Sequence, residues 1–516
     1  MFDLIIKNGN VIDGTGKPAR CVDVGIRGDR ITALDDLSVA EAKAMIDAQG
    51  LTVAPGFIDA HAHSDTYLLI EPDAPSKLAQ GITTEVNGQC GGSAAPRIGN
   101  NFRALELPNV RTSLTWATMA EYRALFEQVA PAINTVQFVG HNTLRVGVMG
   151  YAPRVATQAE IAEMQRRLEQ ALDEGGCGLS TGLFYQPGKY STEAEVEALV
   201  QTTARKGGMY ASHIRNEGDT LLEAVEEVLR LARATGIQVQ ISHLKTSFPR
   251  NWHKIDVLLD TLNTARAEGL NLHADRYPYT ASGTELDIVL PDWASAGGHE
   301  AILANLRDPS IRARIECEMD ARDYDWGSVM IGGGYTDEVR AYSGRRVTEI
   351  ADALGLSPAQ TVCRLIDLDD TRTGAFFFGM SEDNLKRIIA EPWIMPGTDA
   401  SLRAPWGPLA ADHPHPRAYG TMPRFLRLMT DNLCNLESAI HRMTALPAAT
   451  FGLRDRGTLR RGTYADIAIF DPTAFRDTAT YAKPHSFAEG MRNVIVNGAL
   501  AYTQGHFTQN RKGRFL

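Results

Sequence analysis

What most constrains the chain is a rhythm. Eight short apolar runs, at 56–63, 83–86, 135–140, 178–183, 209–213, 239–243, 270–275 and 394–399, alternate with helical patterns such as 160–174, 193–206, 220–235 and 255–268. Strands that alternate with helices read as βαβ units and a parallel sheet, and eight such units are the count that closes a (β/α)8 barrel of the TIM type. With 516 residues the chain is long enough for such a barrel and a companion domain.

The two ends have another texture. Leu4-Ile5-Ile6, the run 22–26 and the run 30–34 are strand-like and separated by Asp13-Gly14 and Gly28-Asp29 turn signals, and 465–470 and 494–498 look the same. A small β-sandwich domain assembled from both termini is therefore expected. The boundaries are 1–56 for its N-terminal part, 57–432 for the barrel and 433–516 for a C-terminal helix with the rest of the β-domain. An insertion at about 285–343 precedes the last barrel strand and is expected to act as a lid or binding loop.

Chemistry concentrates at the C-terminal ends of the strands, the rim where barrel active sites lie. In Gly56-Phe57-Ile58-Asp59-Ala60-His61-Ala62-His63, strand alternation puts His61 and His63 on one face. Cys90 follows the second strand, His213 closes the fifth, His243 the sixth and Asp399 the eighth. Each alone has a bland explanation as a buried thiol, a core imidazole or a turn aspartate. All of them at one rim point to a metal centre, and thiolate with imidazole selects zinc over magnesium or calcium. Zinc brings the pKa of water it holds near neutrality, and a carboxylate beside it, Asp399, can take that proton and return it to a departing amine.

The remaining composition excludes classes of function. A formal charge of −10 and the lack of a Lys/Arg-rich run give no reason to expect nucleic acid. No apolar stretch approaches a membrane span, and no secretory signal pattern opens the chain, so no membrane partner is expected. Six scattered cysteines without framework spacing fit reduced thiols in the cytoplasm. A small-molecule substrate is expected, and the sequence leaves homo-oligomerisation open.

The motifs also carry a resemblance. Val11-Ile12-Asp13-Gly14, the stretch 55–63 and Arg461-Gly462-Thr463-Tyr464-Ala465-Asp466 resemble the amidohydrolase superfamily. Gly88-Gln89-Cys90-Gly91, Gly140-His141-Asn142-Thr143-Leu144-Arg145, the run 180–188, the run 212–217, Ser242-His243-Leu244-Lys245, Tyr277-Pro278-Tyr279 and the stretch 413–424 are similar to its N-acyl-D-amino-acid deacylase (D-aminoacylase) branch. The resemblance spans essentially the whole chain.

It implies a zinc-dependent hydrolase of the amide bond of N-acyl-D-amino acids, with Asp399 as general base and acid. Cys90, His213 and His243 would hold a tight zinc, and His61, His63 and Asp399 a weaker neighbouring position. Strand four carries no lysine, so Cys90 would bridge if two metals bind. Lys245, Tyr277 and Arg417 would grip the substrate α-carboxylate, a planar guanidinium fork and a point charge being suited to it. His141 and Tyr185 would face the pocket and serve the oxyanion. The preference for the D-isomer comes from the resemblance alone. If the apolar run 288–293 lines the pocket, neutral or hydrophobic amino-acid side chains are expected. Two alternatives are a cyclic amide or ureide hydrolase, which the missing strand-four lysine disfavours, and a non-catalytic scaffold, which the complete ligand set disfavours.

Overall fold

The computed structural model describes residues 1–99 and 114–516. Its centre is a ring of eight strands: β1 (Phe57–Asp59), β2 (Ile82–Asn87), β3 (Asn134–Gln137, resuming as Val139–Gly140), β4 (Gly178–Gly182), β5 (Met209–His213), β6 (Val239–Ile241), β7 (Leu272–Arg276) and β8 (Ile394–Pro396). Each pairs in parallel with the next. The ring closes where Ala60 N donates to Pro396 O at 3.2 Å and Asp399 N to His61 O at 2.8 Å, with a parallel bridge between Ala62 and Ala400. A closed ring leaves no sheet edge to cover.

The strands are buried on both faces, which is why they read as nearly continuous apolar runs. Helices cover the outside, and their starts are written locally. Thr157 and Glu160 form a capping box ahead of Gln158–Asp173. Leu221–Thr235 buries one face and stops at Gly236, whose φ of 67° suits a residue without Cβ.

Both termini build the second unit. One sheet holds, in order, Arg30–Asp35, Asp23–Arg27, Phe2–Lys7 and Ala42–Asp47. The other joins Asn10–Val11 and Thr52–Pro55 to Ile467–Phe470 and Met491–Val496 from the far end of the chain. Leu4, Ile6, Val24, Ile26, Val53, Ile467 and Ile495 share one core between them, the arrangement of a sandwich.

The segment before β8 is larger than the sequence suggests. Ala281–Glu285, Gly374–Phe378 and Val329–Ile331 make an antiparallel sheet, and Leu286, Ile302, Trp326, Val362 and Phe377 belong to a separate core. The unit therefore runs to Phe378 and not to 343. Helices Val347–Leu354 and Pro358–Leu368 carry the periodicity of any amphipathic helix, and that periodicity does not say which sheet the helix covers.

Candidate metal and active site

The rim of the barrel gathers the six residues singled out as ligands. Donor atoms of His61, His63, Cys90 and Asp399 lie within 4.8 Å of one another, as do those of Cys90, His213 and His243, so Cys90 belongs to both groups. Cys90 Sγ is 3.3 Å from His61 Nε2 and 3.4 Å from His243 Nε2. Asp399 Oδ1 is 3.0 Å from His63 Nε2 and 3.4 Å from His61 Nε2. Three of these residues leave the strand through left-handed backbone, with φ of 53° at Cys90, 38° at His243 and 48° at Asp399. Non-glycine residues adopt that region at a cost, and its recurrence at functional centres reflects side chains aimed by the surrounding structure.

Two carboxylates flank the histidine ring nitrogens that face away from Cys90. Asp275 Oδ2 lies 3.2 Å from His61 Nδ1, which makes Nδ1 the donor and leaves Nε2 free toward Cys90. The same carboxylate accepts from His243 N at 2.9 Å, so one buried group holds two of the candidate ligand residues. Glu217 Oε1 is 2.8 Å from His243 Nδ1 and 2.5 Å from Lys245 Nζ. Lys245 Nζ also lies 2.8 Å from His243 Nδ1, so this nitrogen meets a carboxylate and an ammonium together while Nε2 points to Cys90. Sequence reasoning missed both roles; Asp275 at a strand end and Glu217 four residues past His213 were visible, but their partners lie on other strands.

These residues fit a cation. His213 is buried, and neither of its ring nitrogens has a hydrogen-bond partner among the described residues. Burial opposes ionisation of the Cys90 thiol, but His61 and His243 hold it well below the ordinary range. Burial is likewise outweighed at His63, where Asp399 and Cys90 push the imidazole up to about 9. Asp399 is held well below the usual carboxylate range: burial opposes this, and Arg417 and then His243 prevail. A thiolate, a carboxylate and four imidazoles, in two groups that share Cys90, are donors from which a cation can displace the protons.

Beside the cluster lies a cavity of about 960 Å³. Lys245, Tyr277 and Arg417 line it with Tyr185 and His213. Arg417 Cζ is 4.7 Å and Lys245 Nζ 5.8 Å from the Tyr277 ring centroid. Tyr277 Oη and Arg417 Nε are buried donors without a hydrogen-bond acceptor among the described residues. The strand Ala281–Glu285 roofs this corner: Ala281 O accepts from His415 Nε2 at 3.0 Å and Gly283 O from Arg417 Nη2 at 3.2 Å. His415 Nδ1 accepts in turn from Arg417 N at 3.0 Å, which makes this histidine a support for the arginine.

His141 is a correction. It does not line the cavity; it is fully buried, with Nε2 2.9 Å from Glu195 Oε1, a carboxylate that also pairs with Arg145. It opens the helix His141–Met149, and the turn from one helical residue to the next hands the cavity wall to Asn142. Tyr185 does face the cavity, its ring 4.8 Å from that of His213. Of the run 288–293, Ile288 and Val289 reach the wall, which also carries Arg322 and Arg372 and so is not purely apolar. Arg215 is paired with Glu227 and Arg403 with Asp412.

The chain is similar to known proteins along its whole length. Residues 44–502 match the model of the amidohydrolase family. Over the whole chain the sequence is 38% identical to an N-acyl-D-glutamate deacylase (96% of that protein) and 37% identical to a D-aminoacylase (97%), both from Alcaligenes xylosoxydans xylosoxydans. A crystal structure of N-acyl-D-glutamate deacylase from Bordetella bronchiseptica, with zinc and a phosphonate mimic of the tetrahedral intermediate, superposes with a TM-score of 0.85 at 36% identity, covering 100% of this chain and 99% of that one. A D-hydantoinase shares the fold, with a TM-score of 0.57 at 16% identity over 100% of this chain and 98% of that one. The chain belongs to the amidohydrolase family, and within it to the N-acyl-D-amino-acid deacylase branch.

Proposed function

We propose that the protein is a zinc-dependent hydrolase that cleaves the amide bond of N-acyl-D-amino acids to a carboxylate and a free D-amino acid. One observation carries the reading. A cation-ligand cluster and a pair of buried donors suited to a carboxylate, Tyr277 Oη and Arg417 Nε, open on the same cavity. The substrate has the two matching features, an amide carbonyl and an α-carboxylate. The relatives named N-acyl-D-glutamate deacylase and D-aminoacylase support the D-configuration.

Cys90, His213 and His243 would hold one zinc tightly, with His61, His63 and Asp399 beside Cys90 as a second, weaker position. Zinc bound there would supply Lewis acidity toward the acyl oxygen and lower the pKa of water. The chain's own residues do the rest. Arg417, Lys245 and Tyr277 hold the α-carboxylate and so orient the amide. Asp399 takes the proton from the attacking water as the new C–O bond forms. It then delivers that proton to the amide nitrogen as the C–N bond breaks, so the amine leaves neutral. Tyr185, beside His213, donates toward the oxygen that gains charge.

The domain boundaries near 56 and 432 belong to the same proposal, with the unit before β8 as a wall of the substrate cavity. Unpaired cysteines suit a reducing, cytoplasmic setting, and among the described residues no helix is long and apolar enough to cross a membrane. The test is metal analysis of the purified protein combined with a D/L panel of N-acetyl amino acids. Turnover of D-isomers by zinc-bearing protein is expected. Turnover of hydantoin or dihydrouracil in their place would overturn the reading.

A further inference from the structure

Beneath Asp399 lies a charged cluster that no step of the reaction uses. Lys77, in the short helix Pro75–Leu78 between β1 and β2, is fully buried. Its Nζ lies 2.7 Å from Glu85 Oε1 and 3.0 Å from each of Asp59 Oδ2, Thr398 Oγ1 and Ala400 O. Asp59 sits at the end of β1, Glu85 in β2, and Thr398 and Ala400 just past β8. One ammonium therefore joins three chain segments that meet at the mouth.

The carboxylates extend the junction. Asp59 Oδ1 accepts from Thr398 N at 2.8 Å and Oδ2 from Thr398 Oγ1 at 2.7 Å. Glu85 Oε1 accepts from Ser64 Oγ at 3.0 Å, and Ser64 Oγ accepts from Leu402 N at 2.8 Å. Stability alone does not call for such a cluster, because well-packed apolar side chains in place of buried ions are often as stable or more so. Its location gives the reason. It sits at the seam where β1 meets β8, and β8 is only three residues long. Past its end, the seam bond from His63 N to Ala400 O stretches to 3.4 Å.

Thr398 and Ala400 are the two neighbours of Asp399, whose φ of 48° is one that an L-residue adopts only under constraint. Lys77 grips the hydroxyl of the first and the carbonyl of the second. We infer that Lys77, acting through Asp59 and Thr398, is a positioning residue that holds the left-handed turn at Asp399 and thereby sets that carboxylate against His61 and His63. The inference rests on the proton-transfer role proposed for Asp399.

Thr398→Val tests it, since it deletes the hydroxyl at nearly constant shape, and Thr398→Ser keeps the hydroxyl. On an N-acetyl-D-amino acid that the parent cleaves, Thr398→Val is expected to lose about 10–100-fold in kcat, the usual cost of removing a group that orients a metal ligand. KM should change much less than kcat, because Arg417, although it loses part of its contact with Asp399, is still held by Gly283 O and His415 Nδ1. Thr398→Ser should recover most of the loss. Lys77→Met alone strands two buried carboxylates and is expected to unfold the seam, so Lys77→Met/Glu85→Gln is measured beside it and should match Thr398→Val.

A second readout is independent of turnover. Zinc chloride titrated calorimetrically into the full-length protein should bind about 10-fold more weakly at its weaker site in Thr398→Val and normally in Thr398→Ser. If the parent binds zinc but cleaves no N-acyl-D-amino acid, the proposed function fails, and the titration alone decides the role of Lys77. Parental kcat and zinc binding in Thr398→Val would overturn the inference. So would equal losses in the Val and Ser variants accompanied by a lowered melting temperature.

Discussion

Arg417 Nη1 stands 2.7 Å from Asp399 Oδ2, so a guanidinium that faces the substrate cavity also grips the carboxylate proposed to move the proton. Substrate binding and proton transfer therefore share one side chain. Truncating one partner of a buried charge pair costs about 2–5 kcal/mol. Arg417→Met should accordingly lower kcat/KM by about 30- to several-thousand-fold, with both kcat and KM affected. Arg417→Lys should not restore it, because the planar fork is lost. Steady-state kinetics on one N-acetyl-D-amino acid checks both.

Replacing the proton carrier and replacing the shared ligand should separate cleanly. Asp399→Asn is expected to reduce kcat by about 10²–10⁴-fold while retaining zinc at Cys90, His213 and His243. Cys90→Ala should lose zinc altogether, because both ligand groups include its thiolate. Metal content after dialysis distinguishes the two, and an Asp399→Ala protein with near-normal turnover would defeat the assigned role.

Asp275 touches His61 Nδ1 and His243 N but does not line the cavity. Asp275→Asn keeps the shape and weakens the acceptor, so zinc affinity or kcat should fall about 10–100-fold. A titration with zinc chloride and a kcat measurement on the same preparation provide the check.

Glu195 predicts a pH dependence of stability. Burial pushes its carboxyl up, but His141 and Arg145 more than reverse this and leave it below its ordinary value. A carboxyl lowered in the folded state adds stability that is fully present above its unfolded value of about 4.3 and is lost as pH falls through the lower folded value. Breaking such a buried pair costs about 3–5 kcal/mol. Glu195→Gln should therefore be much less stable than the parent at pH 7, with the gap closing below about pH 4, as thermal melts at several pH values would reveal. His141→Gln belongs to the same network and should lower the melting temperature while leaving KM for substrate unchanged.

Much of the site was legible because it is written in local order. His61 and His63 share a face by strand alternation, and Cys90, His213, His243 and Asp399 each follow or close an apolar run, so a parallel barrel must deliver them to one rim. The error at His141 has an equally local cause. The resemblance implies a pocket role for it just past the third strand, but it is the first residue of a helix, where a shift of one position turns a side chain from cavity to core.

The chain by itself determined the barrel, the two-ended β-domain and the candidate ligands that gather at one rim, since periodicity and residue type are properties of short segments. Tertiary structure alone decided which groups orient those ligands and how far the unit before β8 extends. Asp275 is 214 positions from His61, and Thr398 is 321 from Lys77. Hydrogen bonds over such separations exist only once the ring has closed, and buried charges leave no periodic trace in the sequence by which they could be read.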